Sequence, residues 1–251
     1  MTKINKSPRF FVVFTAVICI MMCISVAELF SSIITVGAFG VTKNNDVKQN
    51  VFSVYAINLF SSETKVQASE MGELVRKKGG AGYIYQSDKF YVLASCYENK
   101  ADAEKVSSTL KDSETDNQII QIDFKNLTFS VKLNDQEKNT LNGAVTCFVN
   151  VYRKLYDLSV SVDTKLYTEI QSKVELNEII GEFSKIKSNF ETLFNPKLTA
   201  NLLSLKLSLN NVEKILNNLA EFSSTEVPYT SQIKYTYFDI LNQYDSLTKS
   251  I

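Results

Sequence analysis

The sequence predicts an α+β chain with an N-terminal transmembrane helix, a small βαββαβ unit and a C-terminal antiparallel helical bundle. Three observations carry this. An uncharged run fills Phe10–Ala27, two apolar runs each followed by a polar-started amphipathic segment lie between Val54 and Lys111, and steps of three and four separate the apolar residues after Asp135. The chain divides accordingly into a cytoplasmic tail (1–9), an anchor (10–36), a linker (41–50), an α/β unit (51–131) and a bundle or coiled coil (134–251).

FFVVFTAVICIMMCISVA, residues 10–27, would be about 27 Å long as a helix, against a hydrocarbon core of roughly 30 Å. Lys3, Lys6 and Arg9 precede it and no acid occurs before Glu28, which places the N-terminus in the cytoplasm and the later domains outside. Continuation through LFSSIITVGAFGV favours an uncleaved anchor in the bilayer. Ser25-Val26-Ala27 has the small-x-small form of a signal-peptide site, so secretion after cleavage at Ala27 is the alternative. VTKNNDVKQN (41–50) is polar and turn-prone, as a linker would be.

In the first predicted strand, Tyr55, Ile57 and Leu59 alternate with Val54, Ala56 and Asn58. Ser61-Ser62-Glu63 opens the first helix, and Lys77-Lys78-Gly79-Gly80 ends it with basic residues before glycine. Gly82–Gln86 forms the second strand, and Ser87-Asp88 turns the chain back into a third at 89–97. There alternation sets Phe90, Val92, Ala94 and Cys96 against Tyr91, Leu93, Ser95 and Tyr97. Asn99–Asp102 starts a helix presenting Ala103, Val106 and Leu110, and Ile120, Ile122 and Phe124 alternate in a last strand. Leu127–Val131 either extends it or turns back at Lys125-Asn126. This order implies one sheet face under two helices and one face open to a ligand or partner.

In the C-terminal half, Leu141, Val145, Phe148, Tyr152 and Leu155 begin the helical stripes, and Ile233, Tyr237, Ile240, Tyr244 and Leu247 close them. Asn195-Pro196 and Glu226-Val227-Pro228 are breaks. Ser159–Asp163 is a weaker one, with Asp163 a possible helix cap. Four helices then build a bundle; without the break at 159–163, one long helix over 135–194 would favour a coiled coil.

Charge is balanced, 27 basic against 27 acidic residues, which argues against nucleic acid as a partner. The chain has no His, which removes His-dependent nucleophilic catalysis and the commonest metal ligand. Cys19 and Cys23 lie in the apolar run, and Cys96 and Cys147 fall in different elements. Two unrelated buried thiols are the simpler reading of the latter, with a disulfide the alternative. No catalytic residue, cofactor or metal site is expected, and the chain is not expected to be an enzyme.

The segments VYAINLFSSETKVQASEMGELVRKKGGAGYIY and DKFYVLASCYENKADAEKVSSTLK resemble a SPOR (sporulation-related repeat) domain over about residues 51–131. Phe60-Ser61-Ser62 takes the position of the family's Phe-Ser-x, Gly79–Tyr83 that of its Gly-x-x-Ala approach to the second strand, and Tyr97–Val106 that of its aromatic-to-Ala run into the second helix. The resemblance implies a ferredoxin-like βαββαβ fold that holds peptidoglycan glycan strands lacking stem peptides during division or sporulation. The pattern is degenerate: Ala56, Asn58, Tyr91 and Ser95 stand where the family usually has Gln, Gly, Arg and Gly. Tyr91, with Tyr83 or Tyr85, would stack on a sugar ring, and Asn58 and Ser95 complete the expected glycan-binding set. The resemblance thus implies a membrane-anchored peptidoglycan-binding protein working among envelope, division or sporulation proteins. The alternative is a structural or scaffold protein binding another envelope protein without glycan.

Overall fold

The protein is described by a computed structural model covering residues 46–48, 52–112, 115–130 and 132–251. The anchor expected at 10–36, its cleavage-site alternative and Cys19 and Cys23 lie outside these residues. Among the described residues no helix is long and apolar enough to cross a membrane.

Among the described residues the fold is α+β, with six α-helices and a four-stranded antiparallel sheet. In order they are β1 (Asp46–Lys48), β2 (Phe52–Ser62), α1 (Lys65–Lys77), β3 (Tyr83–Gln86), β4 (Phe90–Tyr97), α2 (Lys100–Asp112), β5 (Gln118–Phe124) and β6 (Thr128–Ser130). Helices α3 (Asp135–Asp163), α4 (Glu169–Phe194), α5 (Ala200–Glu221) and α6 (Tyr229–Ser250) follow. The main sheet runs β3-β4-β2-β5, and β1 pairs with β6 in a separate two-stranded ribbon. Asp46–Lys48 is therefore a strand where a linker was expected, because the chain does turn after Phe124 and offers β6 as its partner.

Two bulges shape the sheet. The pairing passes from Ile57↔Ser95 to Asn58↔Leu93, leaving Ala94 extra in β4, and then to Phe60↔Val92, leaving Leu59 extra in β2. An extra residue reverses alternation beyond it. Cys96 consequently leaves the face of Val92 and joins that of Leu93, while Ser95 and Tyr97 cross to the α1/α2 side. Period-two reading of β4 fails at that point.

The bundle is a ring in which each of α3–α6 packs on its two neighbours, with connections over 164–168, 195–199 and 222–228. Connections this short make successive helices antiparallel. Helix α3 continues through Ser159–Asp163. The break comes at Thr164, where Lys165 takes φ 59° and Thr168 with Gln171 forms the capping box of α4. Asp163 is no cap, because its carboxylate is engaged by Lys234 of α6. The expected stripes form the bundle interior, including Leu141, Phe148, Leu155, Phe183, Leu205, Leu216 and Ile240.

Candidate functional site

The sheet face expected to be open is covered. Val54, Ala56, Leu93, Cys96 and Phe124 share one continuous core with Phe148, Tyr152, Ile233, Tyr237 and Tyr244 of α3 and α6. Helix α6 can do this because it is apolar on two sides: Ile233, Tyr237 and Ile240 belong to its stripe, and Phe238 and Leu241 are buried beside it. The Tyr237 hydroxyl accepts the Cys96 amide N–H at 3.3 Å, and the Tyr244 hydroxyl donates to the Lys125 carbonyl at 3.0 Å. The end of α1 is tied down as well. Ser231 Oγ donates to Arg76 O at 2.7 Å, a carbonyl that also accepts the Gly79 N–H, and Lys234 Nζ donates to Gly79 O at 2.9 Å, just past the helix end.

The five residues expected to hold glycan do not form one surface. Asn58 is buried, and its Oδ1 accepts the Val92 N–H at 3.1 Å beside the paired bulges, which makes it part of the strand ladder. Tyr83 is stacked on Phe238, with ring centroids 5.1 Å apart and planes 15° apart, and its hydroxyl donates to Asp239. Burial raises the Asp239 carboxyl to about 6, opposed by the Tyr83 hydrogen bond and by Arg76. Tyr85 is half-buried against the same core. Tyr91 also packs there, with its hydroxyl donating to Asp88 at 2.8 Å. Ser95 lies on the opposite face, hydrogen-bonding the Tyr97 hydroxyl at 3.3 Å. The expectation of an open glycan face is thus corrected: α3 and α6 occupy it, and the bulge at Ala94 removes Ser95 from it.

The opposite face carries a concavity that sequence reading missed. Two separate clusters lie under the helices. Ala68, Val75 and Val92 form one with α1, and Ile57, Ala103 and Leu110 the other with α2. Between them is a cavity of about 340 Å³. Leu59, Met71, Leu74, Val106 and Leu110 supply its apolar lining. At the end nearest the bundle, Ser159 and Asp163 of α3 and Lys234 of α6 line it. Lys234 and Asp163 form an ion pair at 2.6 Å with side chains 9% and 6% exposed, and Thr230 Oγ1 also donates to Asp163 at 2.7 Å. The sequence signal was present in one respect: Lys234 interrupts the otherwise apolar or small buried face of α6, and a lysine there needs a partner.

Cys96 and Cys147 are separate free thiols, both buried, and burial pushes both well above the ordinary thiol range. Among the described residues no group of His, Cys, Asp and Glu is arranged to hold a metal ion. Compared with protein-family models, with curated proteins and with solved structures, the chain matches none.

Proposed function

We propose that this chain is a non-catalytic scaffold protein of the bacterial cell envelope, held at the membrane by residues 10–36. Its SPOR-like unit serves as a folding module locked to the helical bundle, and its partner is another envelope protein of division or sporulation rather than bare glycan. One observation carries the choice between scaffold and glycan reader: α3 and α6 fill the sheet face on which the family holds its ligand. A glycan strand reaching Ala56 or Leu93 would have to displace Tyr152, Tyr237 and Tyr244, re-exposing large apolar side chains for a gain confined to a few polar contacts. The envelope location is supported by the uncharged run at 10–27 and its basic flank.

Co-sedimentation of the full-length chain with purified peptidoglycan tests this reading. Enrichment on amidase-denuded glycan should not exceed that on untreated wall. Enrichment on denuded glycan that weakens in Tyr91→Ala would overturn the scaffold reading and reinstate the sheet face. Cell fractionation should place the chain in the membrane, and a lysis band on a cell-wall zymogram would refute the absence of catalysis.

A further inference from the structure

The geometry points to a second kind of ligand for this protein: a single-chain lipid with an uncharged hydroxyl head, seated in the cavity between α1 and α2. Protein interiors hold few voids larger than a water molecule. An opening of about 340 Å³ is at the lower end of the small-ligand range, roughly 300–1000 Å³. At about 30 Å³ per water-sized group, it accommodates on the order of ten heavy atoms.

The lining sets the chemistry. Leu59, Met71, Leu74, Val106 and Leu110 offer no hydrogen bonds along the length, which suits an alkyl chain. The buried ion pair of the lining, Lys234 and Asp163, lies at the bundle end, and Lys78, Ser95, Tyr97 and Thr115 also border the cavity. A lysine ammonium has three N–H donors. Asp163 and the Gly79 carbonyl take two, leaving the third for a ligand oxygen. Asp163 accepts from Lys234 and Thr230, and a carboxylate has further lone-pair sites for a ligand O–H. A hydroxyl, donor and acceptor at once, answers both. A charged head would not, because the pair is already neutral and either sign would confront a like charge in a desolvated site. Leu74, 53% exposed, stands at the mouth, so a chain can enter without unfolding the unit. The site stands whether or not the chain works at the cell envelope.

Displacement of the fluorescent probe 1-aminoanthracene from the full-length chain, held in a fluorinated surfactant, provides the test. 1-Decanol should bind saturably at one per chain, and decanoate and decyltrimethylammonium at least tenfold more weakly. Leu74→Trp, an exposed position that tolerates the larger ring, should lower decanol affinity at least tenfold by blocking the mouth, and Val106→Trp should do the same from α2. The paired change Asp163→Asn with Lys234→Met should abolish the preference for decanol over the charged amphiphiles. Failure of decanol to saturate would overturn the proposal, as would unchanged affinity in both tryptophan variants. Equal binding of decanol and decanoate would overturn the head-group assignment.

Discussion

The Tyr237 hydroxyl lies 3.3 Å from the Cys96 amide nitrogen and accepts its hydrogen bond, joining the last helix to a central strand. Around it the Tyr152 ring meets Tyr237 edge-on at 5.7 Å, and Cys96 Sγ donates to the Tyr152 hydroxyl at 3.8 Å. Sheet and bundle are one core at this point, which has consequences for how the protein unfolds.

Tyr237→Phe keeps the ring and leaves the buried Cys96 N–H without its acceptor, so it should cost about 1–3 kcal/mol. Urea unfolding followed by tyrosine near-ultraviolet and helical far-ultraviolet dichroism should give coincident transitions in both proteins. A tyrosine signal that melts before the helix signal would refute a shared core.

The Lys234–Asp163 pair should behave as a unit. Lys234→Met or Asp163→Asn alone strands a buried polar or charged partner, and each should cost about 3–5 kcal/mol. The two together remove both charges and should cost less than the sum of the singles. A double-mutant cycle by chemical denaturation measures the coupling, and additive losses would contradict it.

Asp239 should make stability depend on pH. Its folded carboxyl sits at about 6, above the roughly 3.9 of an unfolded aspartate. Between those values the folded state holds a proton that the unfolded chain has released. Stability from this group is therefore full below about pH 4 and is lost as pH rises through about 6. Its neighbours are Tyr83, Arg76 and Tyr235. Allowing for its partly solvated position, the loss is on the order of 1–2 kcal/mol. Asp239→Asn should be flatter than the parent between pH 4.5 and 7 and more stable at pH 7; identical slopes would count against the assignment.

Two glycines with positive φ should respond differently. A Cβ at Gly82 (φ +58°) would meet the Gly72 carbonyl oxygen at 2.1 Å, whereas one at Gly79 (φ +95°) meets nothing within 4 Å. Gly79→Ala should cost about 1 kcal/mol, from backbone strain alone. Gly82→Ala must also push α1 off the sheet and should cost several kcal/mol, on the order of 3 or more. Thermal melts rank the two, and equal losses would argue against the close approach of α1.

Local pattern was enough for much of this. Period-two alternation placed Ile57 and Val92 under α1 and α2, and steps of three and four placed Leu141, Phe183, Leu205 and Ile240 inside the bundle. Lysines before Gly79 marked the end of α1. These features depend on residues near one another in the chain. The helix break was misplaced because 159–163, though made of modest helix formers, is held by packing of Leu158 and Ser159 and by the Asp163–Lys234 pair, partners distant in sequence.

By itself the sequence determined the strand and helix order from β2 to β5, though not the β1–β6 ribbon, together with the two-helix layer on one sheet face and the existence of a long-helix bundle, since each follows from hydrophobic period and terminus chemistry. Only the tertiary structure decided which way Cys96 and Ser95 point, what covers Ala56 and Leu93, and where a cavity remains. Those outcomes turn on two bulges and on the second apolar side of α6. A one-residue slip in pairing leaves hydropathy unchanged, and a helix rich in buried side chains does not say which of its sides meets a neighbouring domain.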